Sequence, residues 1–458
     1  MPWTVPIRIV FYLALIFFGA VASARSNGVI LTPEQMRADL AFLRDVWAPL
    51  DKSFSDKQEL EFKRFVDTTM AKTAQLKPEE FALEVSRAVA IARNGHTNAN
   101  VGSFLGADLP IRTWWFADGL RIVKTHPTFS RLLGARIDVI GKLPAREAFE
   151  RFKPYLSGTD QRIRFLSPGY LVTPLILKHI GTIDDPSGVA LTMQLRNGKT
   201  EEITLQPTMS SDPGDERLVG LNRGYSILSP DPADLEGRWS HVLDDITVHS
   251  PLYGRRGDIK ASFLSAARDV LYIRLDTVAS TDETPLEEKF ARIIRDTILA
   301  ERPRHAIVDL RMNNGGDFFK SILFSQALPR LLPSDGRVVV LVGRATFSAG
   351  IVTAAMLKGS GGDKVTIIGE TMGDNGRFWA EGKKIELPNS KIVIRYGAQF
   401  QDYENGCYDI SECYWATVAF GPRGISLHPD TIVDPTFDDY AAGEDPVLKA
   451  AMEIIGPR

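Results

Sequence analysis

The sequence is poor in cysteine and has no long run of basic residues. Its 458 residues include two cysteines, Cys407 and Cys413, and seven histidines. Two cysteines without neighbouring histidines make a poor zinc site, so we expect no metal and no other cofactor. The formal net charge is −3, and without a basic stretch nucleic acid is not an expected partner. Substrates or partners should therefore be recognised by shape and local contacts.

Long hydrophobic runs are also missing, apart from one at the start of the chain. Residues 1–24 have the pattern of a secretory signal peptide, with Arg8 as the positive charge and residues 9–21 as the apolar run. The run is short for a membrane span, and an uncleaved anchor is the alternative interpretation. Cleavage after Ala24 predicts a periplasmic or secreted protein without a stable membrane anchor.

The rest of the chain has a helical start, a strand-rich middle and an α/β end. Residues 27–105 are predicted to form an N-terminal helical module, because apolar residues recur at helical spacing after cap signals. Residues 106–210 contain hairpin patterns and a helical insertion, and residues 211–258 have the Pro, Asp, Gly and Ser content of a linker. Residues 259–458 alternate strands with helices, which predicts the α/β class with a crossover-built mixed β-sheet.

The most informative stretch runs from Val338 to Gly350. Its five aliphatic residues, 338–342, predict a buried strand, and the residues after Gly350 predict a helix that covers it. Ser348 falls at the junction, where a hydroxyl faces a cleft and helix N–H groups point at the group it attacks. This is the position of a nucleophile, although an ordinary N-cap serine would also fit there. The amide of Ala349 is then one candidate oxyanion donor.

Two further junctions of the same kind flank this stretch. Residues 305–311 predict a strand that runs into Gly315 and Gly316, a pair that lets the backbone approach a ligand and aim an N–H at negative charge. One of these amides is the second candidate oxyanion donor, and a plain turn is the alternative. Residues 364–368 predict a third strand, and the flexible loop 369–376 after it would border the same cleft.

These pieces resemble the core of one enzyme family in order and setting. The motifs are Asp-Leu-Arg-Met-Asn-Asn-Gly-Gly (309–316), Thr-Phe-Ser-Ala-Gly (346–350), Ile-Gly-Glu-Thr-Met-Gly (368–373) and Gly-Ile-Ser-Leu-His-Pro-Asp (424–430). They resemble the C-terminal processing and tricorn-like serine peptidases of the tail-specific protease superfamily. The resemblance implies a ClpP/crotonase-like core and a polypeptide substrate. Residues 134–144 also resemble the central strand and turn of a PDZ domain, which implies a PDZ-like β-subdomain over residues 106–210.

The resemblance also implies which residues assist the nucleophile. Processing peptidases take their base from a lysine in the loop after the third strand, where this chain has Asp374. The tricorn-like branch instead uses a histidine in a turn near the N-terminal helices and a glutamate roughly sixty residues beyond the serine. His96 and Glu404 match these positions and would act as base and orienting acid. The alternatives for the acid are Asp402 and Asp409.

The two cysteines follow shortly after Glu404. In an oxidising compartment, Cys407 and Cys413 are expected to form a small-loop disulfide worth roughly 2 kcal/mol. Such a bridge would stiffen the loop that holds the acid.

The leading hypothesis is an exported serine endopeptidase that acts through an acyl-enzyme on Ser348, with His96 as general base. The sequence leaves open the cleavage specificity, the oligomeric state and whether the PDZ-like region recognises C-termini. The alternative is a catalytically silent relative that holds a peptide or an apolar ligand in the same cleft. A third interpretation is a hydrolase whose substrate is a non-peptide ester or amide.

Overall fold

The computed structural model describes residues 30–208, 227–230, 239–247, 249–254, 256–264 and 266–456. The predicted signal peptide, residues 1–24, and part of the predicted linker, residues 211–258, lie outside the described residues. Across the described ranges, no helix has the length and apolar character needed to cross a membrane.

Three helices open the described chain. They are α1 (Pro33–Phe42), α2 (Asp56–Lys72) and α3 (Pro78–Ala90). Thr32 and Ser55 begin the first two with capping boxes, in which the cap side chain accepts a helix N–H and a glutamine accepts the N–H of the cap. The buried faces of these helices share an apolar core with the strand-rich region that follows.

The second region contains an antiparallel sheet with a helical insertion, preceded by the separate short strand β1. Its elements are β1 (Ala99–Asn100), β2 (Ile111–Phe116), β3 (Gly119–Thr125), β4 (Arg136–Ile140), β5 (Leu143–Pro144), α4 (Ala145–Phe152), α5 (Asp160–Tyr170), α6 (Pro174–His179), β6 (Val189–Gln194), β7 (Thr200–Leu205) and β8 (Ser240–His241). The strand order is β2-β3-β4-β6-β7, with β5 on β4 and β8 on β3. The predicted hairpin is β2–β3, and the three helices lie between β5 and β6.

The third region has the α/β alternation that the sequence predicts. Its first half contains β9 (Ile259–Phe263), β10 (Val270–Leu275), α7 (Leu286–Arg292), β11 (His305–Asp309), α8 (Phe319–Leu331), β12 (Val338–Val342), α9 (Ala349–Gly361) and β13 (Val365–Gly369). Its second half contains β14 (Arg377–Ala380), β15 (Lys384–Glu386), β16 (Val393–Arg395), β17 (Gln399–Asp402), α10 (Trp415–Phe420), β18 (Thr431–Ile432), α11 (Phe437–Ala441) and α12 (Pro446–Ile455).

The central sheet is mixed and built by crossovers. Its described strands lie in the order β18-β13-β12-β11-β10-β9, and all neighbours are parallel except β9 and β10. The helices α7, α8 and α9 connect consecutive parallel strands. Apolar side chains of one sheet face pack against α8 and α9, and those of the other face pack against α12. The loops after β11, β12 and β13 therefore meet at one sheet edge, where ligands of such folds usually bind.

Small sheets connect this edge to the N-terminal helices. Strand β14 pairs with β17, and the β15–β16 hairpin pairs through β16 with β1. Since β1 follows the turn that carries His96, the hairpin links that turn to the C-terminal third of the chain.

A buried arginine ties the end of the chain to the central sheet. Arg311 follows β11, and its guanidinium donates to Asp309 and Asp445, with the shortest N–O distance 2.6 Å to each. Asp445 also caps α12 by accepting the N–H of Leu448 at 2.9 Å. Because buried charges are costly unless paired, this cluster holds α12 against the sheet.

Asp445→Asn should destabilise the protein by roughly 3 kcal/mol, because it leaves the buried Arg311 charge with one carboxylate while an asparagine can still cap α12. Urea unfolding followed by circular dichroism measures the change. Glu288→Gln, which breaks the exposed Arg292 pair, is the control and should cost less than about 1 kcal/mol. Equal losses in the two variants would contradict the role given to Arg311.

Candidate active site

Ser348 occupies a strained turn between β12 and α9. Its backbone has φ 52° and ψ −124°, a combination that residues with a side chain rarely adopt. The Ser348 side chain makes no capping hydrogen bond to α9, so the ordinary N-cap interpretation is wrong. A strained strand-to-helix turn of this kind exposes a serine hydroxyl at the sheet edge.

The surrounding loop fixes the turn through buried hydrogen bonds. The Thr346 hydroxyl donates to the Leu310 carbonyl at 2.7 Å and accepts the N–H of Gly343 at 2.9 Å. The N–H of Phe347 donates to the Asn313 carbonyl at 2.9 Å. The loops after β11 and β12 therefore hold each other in place around the serine.

Gly315 lies directly against Ser348. A Cβ at position 315 would stand 2.7 Å from the Ser348 Cβ, so a residue with a side chain would displace the serine. The N–H of Gly315 donates to the side-chain oxygen of Asn313 at 2.9 Å. The Gly315 N–H is therefore hydrogen-bonded within its own turn, and in this conformation it is not available to a ligand in the cleft.

Gly316 lines the cleft beside Ser348. The backbone bridge to Val278 uses the Gly315 carbonyl and the Asp317 N–H, and leaves the Gly316 N–H outside that pairing. Of the two glycines singled out in the sequence, Gly316 is thus the one whose amide remains a candidate oxyanion donor, together with Ala349.

The turn that follows α3 is fixed at both ends. The carbonyl of Asn94 accepts the Thr97 N–H at 2.9 Å, and the Asn94 side chain donates to the Thr97 hydroxyl at 3.0 Å. That hydroxyl in turn donates to the Asp51 carboxylate. On the other side, the N–H of Arg395 donates to the Asn98 carbonyl at 2.9 Å. The β15–β16 hairpin therefore positions the turn against the rest of the site.

His96, in the middle of this turn, is stacked between two aromatic rings. Its imidazole lies 4.4 Å from the Phe347 ring and 5.2 Å from the Phe378 ring, centroid to centroid. Phe347 is the residue immediately before Ser348. A glycine at position 95 permits this contact, because a Cβ there would come within 2.6 Å of the Phe347 ring.

Ser348 and His96 line one cavity of about 580 Å³, a volume typical of ligand sites. The structure therefore brings together two residues that are far apart in the chain. No hydrogen bond joins them, since both ring nitrogens of His96 are buried and have no partner among the described residues. Burial, together with the nearby charges of Arg162 and Arg395, lowers the pKa of His96 to about 3. The imidazole is therefore neutral near pH 7, and its environment in this conformation makes it a weaker base than a free imidazole.

Glu404 lies outside the cavity lining. Its carboxylate accepts the N–H of Gly376 at 3.2 Å, and it makes no hydrogen bond to His96. The Phe378 ring that stacks on His96 belongs to β14, which follows Gly376 directly. The structure thus places Glu404 beside the residue that precedes β14, without a hydrogen bond to the imidazole.

The two alternative acids, Asp402 and Asp409, accept hydrogen bonds within their own loops. Asp402 is buried and accepts the N–H groups of Glu404 and Asn405 and the side chain of Arg377. Asp409 is exposed and accepts the N–H and hydroxyl of Ser411, contacts that lower its pKa. Neither carboxylate lines the cavity.

Asp374 is a site residue that sequence reasoning passed over. Asp374 stands where processing peptidases have a lysine, and the sequence motifs assign it no role of its own. Its Oδ2 atom is buried without a hydrogen-bond partner among the described residues and lies 3.2 Å from the Cβ position of Gly95. Burial raises the pKa of Asp374 to about 7, against the opposing effects of the Asn375 N–H and the Arg162 charge. The available signal was the departure at this position from the lysine of the processing peptidases.

Cys407 and Cys413 form the predicted disulfide. The bridged loop follows β17 and Glu404. No cluster of three or more His, Cys, Asp or Glu side chains suited to a metal ion occurs in the part of the chain that the structure describes.

No protein-family model and no curated protein match the chain. Solved structures match it over almost its whole length. Mature CPAF in complex with lactacystin has a TM-score of 0.57 at 13% sequence identity, and the match covers 93% of this chain and 98% of that chain. A CPAF mutant has a TM-score of 0.58 at 12% identity, covering 91% and 96%. The chain has the CPAF fold.

The matching structures also include the photosystem II D1 C-terminal processing protease, with a TM-score of 0.40 at 15% identity, covering 93% of this chain and 98% of that chain. The matching structures thus include a processing protease of the kind that the sequence motifs resemble. At 12–13% identity, the likeness to CPAF shows the fold and not the activity.

Asp374→Asn should become more stabilising, relative to wild type, as the pH rises from about 4 to about 8. The pKa of Asp374 is raised above its unfolded value of about 3.9, so ionisation progressively destabilises the native state as the pH rises through about 7. Urea unfolding of both proteins across this pH range measures the difference.

Asp409→Asn is the control for this experiment. The pKa of the exposed Asp409 is lowered, so its substitution should not become stabilising at higher pH. A difference between wild type and Asp374→Asn that stays constant with pH would show that the carboxyl is not held in a protonation-sensitive environment.

Proposed function

We propose that this chain is a serine-type peptidase that hydrolyses polypeptides through an acyl-enzyme on Ser348. The observation that carries the proposal is that a strained serine and a buried, neutral imidazole line one cavity. The motifs shared with processing and tricorn-like peptidases support it. The CPAF fold is compatible with it.

His96 is the proposed general base. It would take the Ser348 proton as the oxygen attacks a substrate carbonyl, give that proton to the leaving amine, and repeat both steps with water. Catalytic hydrogen bonds are often loose in an unliganded enzyme and tighten with substrate. Rotation of the ring about its Cβ–Cγ bond would break the stacking on Phe347 and Phe378, so a hydrogen bond to the Ser348 hydroxyl would require a shift of the turn that carries His96.

Ala349 and Gly316 are the proposed oxyanion donors. Ala349 is the first residue of α9, where N–H groups lack helical partners and the helix dipole favours negative charge. Gly316 lines the cavity from the loop after β11. Loss of one such donor typically costs ~3 kcal/mol of transition-state stabilisation.

The orienting acid has two candidates. Glu404 is proposed because the family resemblance implies it, and a movement of the loop after β17 would be needed to bring its carboxylate to His96. Asp374 competes for the role, because its buried carboxylate oxygen lies beside Gly95 without a hydrogen-bond partner.

The proposal also includes two subdomain types and an exported location. A PDZ-like β-subdomain at residues 106–210 is supported by the antiparallel sheet with its helical insertion, and a ClpP/crotonase-like core at residues 259–458 by the crossover-built sheet. Export to the periplasm or the medium is proposed from the pattern of residues 1–24. A disulfide within the C-terminal region suits that location.

A fluorophosphonate probe should label the wild-type protein on Ser348, and Ser348→Ala should abolish the labelling. His96→Ala should slow the labelling by at least about 100-fold, because a general base contributes that much or more. Labelling is read by mass spectrometry and gel fluorescence. The exposed residues Ser426 and His126, each changed to Ala, are matched controls that should label at the wild-type rate.

Two results would overturn the proposal. One is labelling that persists in Ser348→Ala on another residue at the wild-type rate. The other is absence of labelling on wild-type protein that is folded by circular dichroism, which would make the chain a binding protein.

The acid is identified by comparing Glu404→Gln with Asp374→Asn. Glu404→Gln should slow labelling by at least about 100-fold, since loss of the orienting carboxylate of a triad is severe, and Asp374→Asn should slow it less than about tenfold. The reverse order of effects would transfer the role to Asp374.

A further inference from the structure

The cavity beside Ser348 carries positive charge and, among its described lining residues, no carboxylate. Arg162, Lys384 and Arg395 all line it, together with asparagine, aliphatic and aromatic side chains. The whole chain has a net charge of −3, so the positive lining is a local feature. A cleft lined by charge of one sign concentrates ligands of the opposite sign.

Two of these cations form a like-charged pair on the β15–β16 hairpin. Lys384 and Arg395 stand directly opposite each other in the antiparallel register, where like charges destabilise a sheet. Neither forms an ion pair with a described residue, and the acid of this hairpin, Glu386, pairs with Lys391 at 3.4 Å. A repulsive pair that faces a cavity indicates a ligand that supplies the neutralising charge.

The third cation is buried and fixed. Arg162 is 1% exposed, its Nη1 atom donates to the Asn314 side chain at 2.7 Å, and its guanidinium lies 3.9 Å over the Phe347 ring. Since Phe347 precedes Ser348, this charge is held beside the nucleophile turn. A charge in a buried wall is screened less than an exposed one.

We infer that the cleft selects polypeptides that carry a carboxylate close to the bond to be cleaved. Lys384 and Arg395 bind the carboxylate from the hairpin, and the charge of Arg162 favours it from the wall. This inference rests on the proposed function, because it names the substrate class of the same site. A planar carboxylate matches the fork of an arginine guanidinium, which can donate two parallel hydrogen bonds to it.

The carboxylate has two sources in a polypeptide, an acidic side chain and the C-terminus. An acidic side chain and a C-terminus present the same carboxylate to the same cations, so the structure predicts that either can be recognised. Peptides that carry only one of the two carboxylates distinguish these sources.

Binding to the Ser348→Ala protein tests the inference without requiring catalysis. Fluorescently labelled pools of short, mixed-sequence peptides are compared by anisotropy: one with a fixed central Glu and an amidated C-terminus, one with a central Gln and a free C-terminus, and one with a central Gln and an amidated C-terminus. At least one carboxylate-bearing pool should bind about tenfold or more tightly than the neutral pool, with a preference that weakens as salt is raised.

Charge reversal on the hairpin tests the residues. Lys384→Glu combined with Arg395→Glu should abolish the preference for the carboxylate-bearing pools. Lys383→Glu combined with Lys391→Glu makes the same change in net charge on neighbouring residues that do not line the cavity, and should retain the preference. Circular dichroism verifies that both double variants are folded.

The outcomes separate this inference from the proposed function. Equal binding of all three pools, or equal effects of the two double variants, overturns the inference while fluorophosphonate labelling of Ser348 stands on its own. Preference for the Glu pool assigns the site to acidic side chains, and preference for the free C-terminus assigns it to chain ends.

Discussion

The strained backbone of Ser348 is the constraint on which the rest of the site depends. A residue with a side chain holds φ 52° and ψ −124° only if its surroundings leave no easier conformation. Those surroundings are the buried hydrogen bonds of Thr346 and the absence of a Cβ at Gly315. Because Ser348 immediately precedes Ala349, the proposed nucleophile and one proposed oxyanion donor come from the same turn.

The imidazole is positioned by packing and not by hydrogen bonds. His96 is clamped by two aromatic rings, and its nitrogens meet no partner among the described residues. Burial of this kind keeps the ring neutral, as the lowered pKa of His96 indicates. The same cavity wall holds the cation Arg162, which disfavours a second positive charge on the ring and favours a negative charge on the ligand. The Arg162 charge thus lowers the basicity of the imidazole and favours a negative charge in the same cavity.

Much of the fold could be predicted from the sequence, because the signals are local. Strand β12 follows from five consecutive aliphatic residues and α9 from the apolar residues after Gly350, and both have the predicted extent to within a few residues. The disulfide followed from the two cysteines being the only pair. Prediction was less successful for contacts between residues whose positions depend on distant elements. The sequence could not show that the Gly315 N–H donates to the Asn313 side chain, or that the Glu404 carboxylate accepts the Gly376 N–H. Asp374 escaped notice because nothing in its local pattern reveals that its carboxylate is buried.

By itself, the sequence determined the strands, the helices and the presence of a serine at a strand-to-helix junction, since these follow from hydrophobic periodicity and turn chemistry within short windows. Only the tertiary structure decided which charges share a cavity with that serine. The β15–β16 hairpin brings Lys384 and Arg395 to the turn of His96, and the helical insertion brings Arg162 to Phe347. These residues come together through packing between segments that are remote in the chain, and no local sequence pattern predicts such packing.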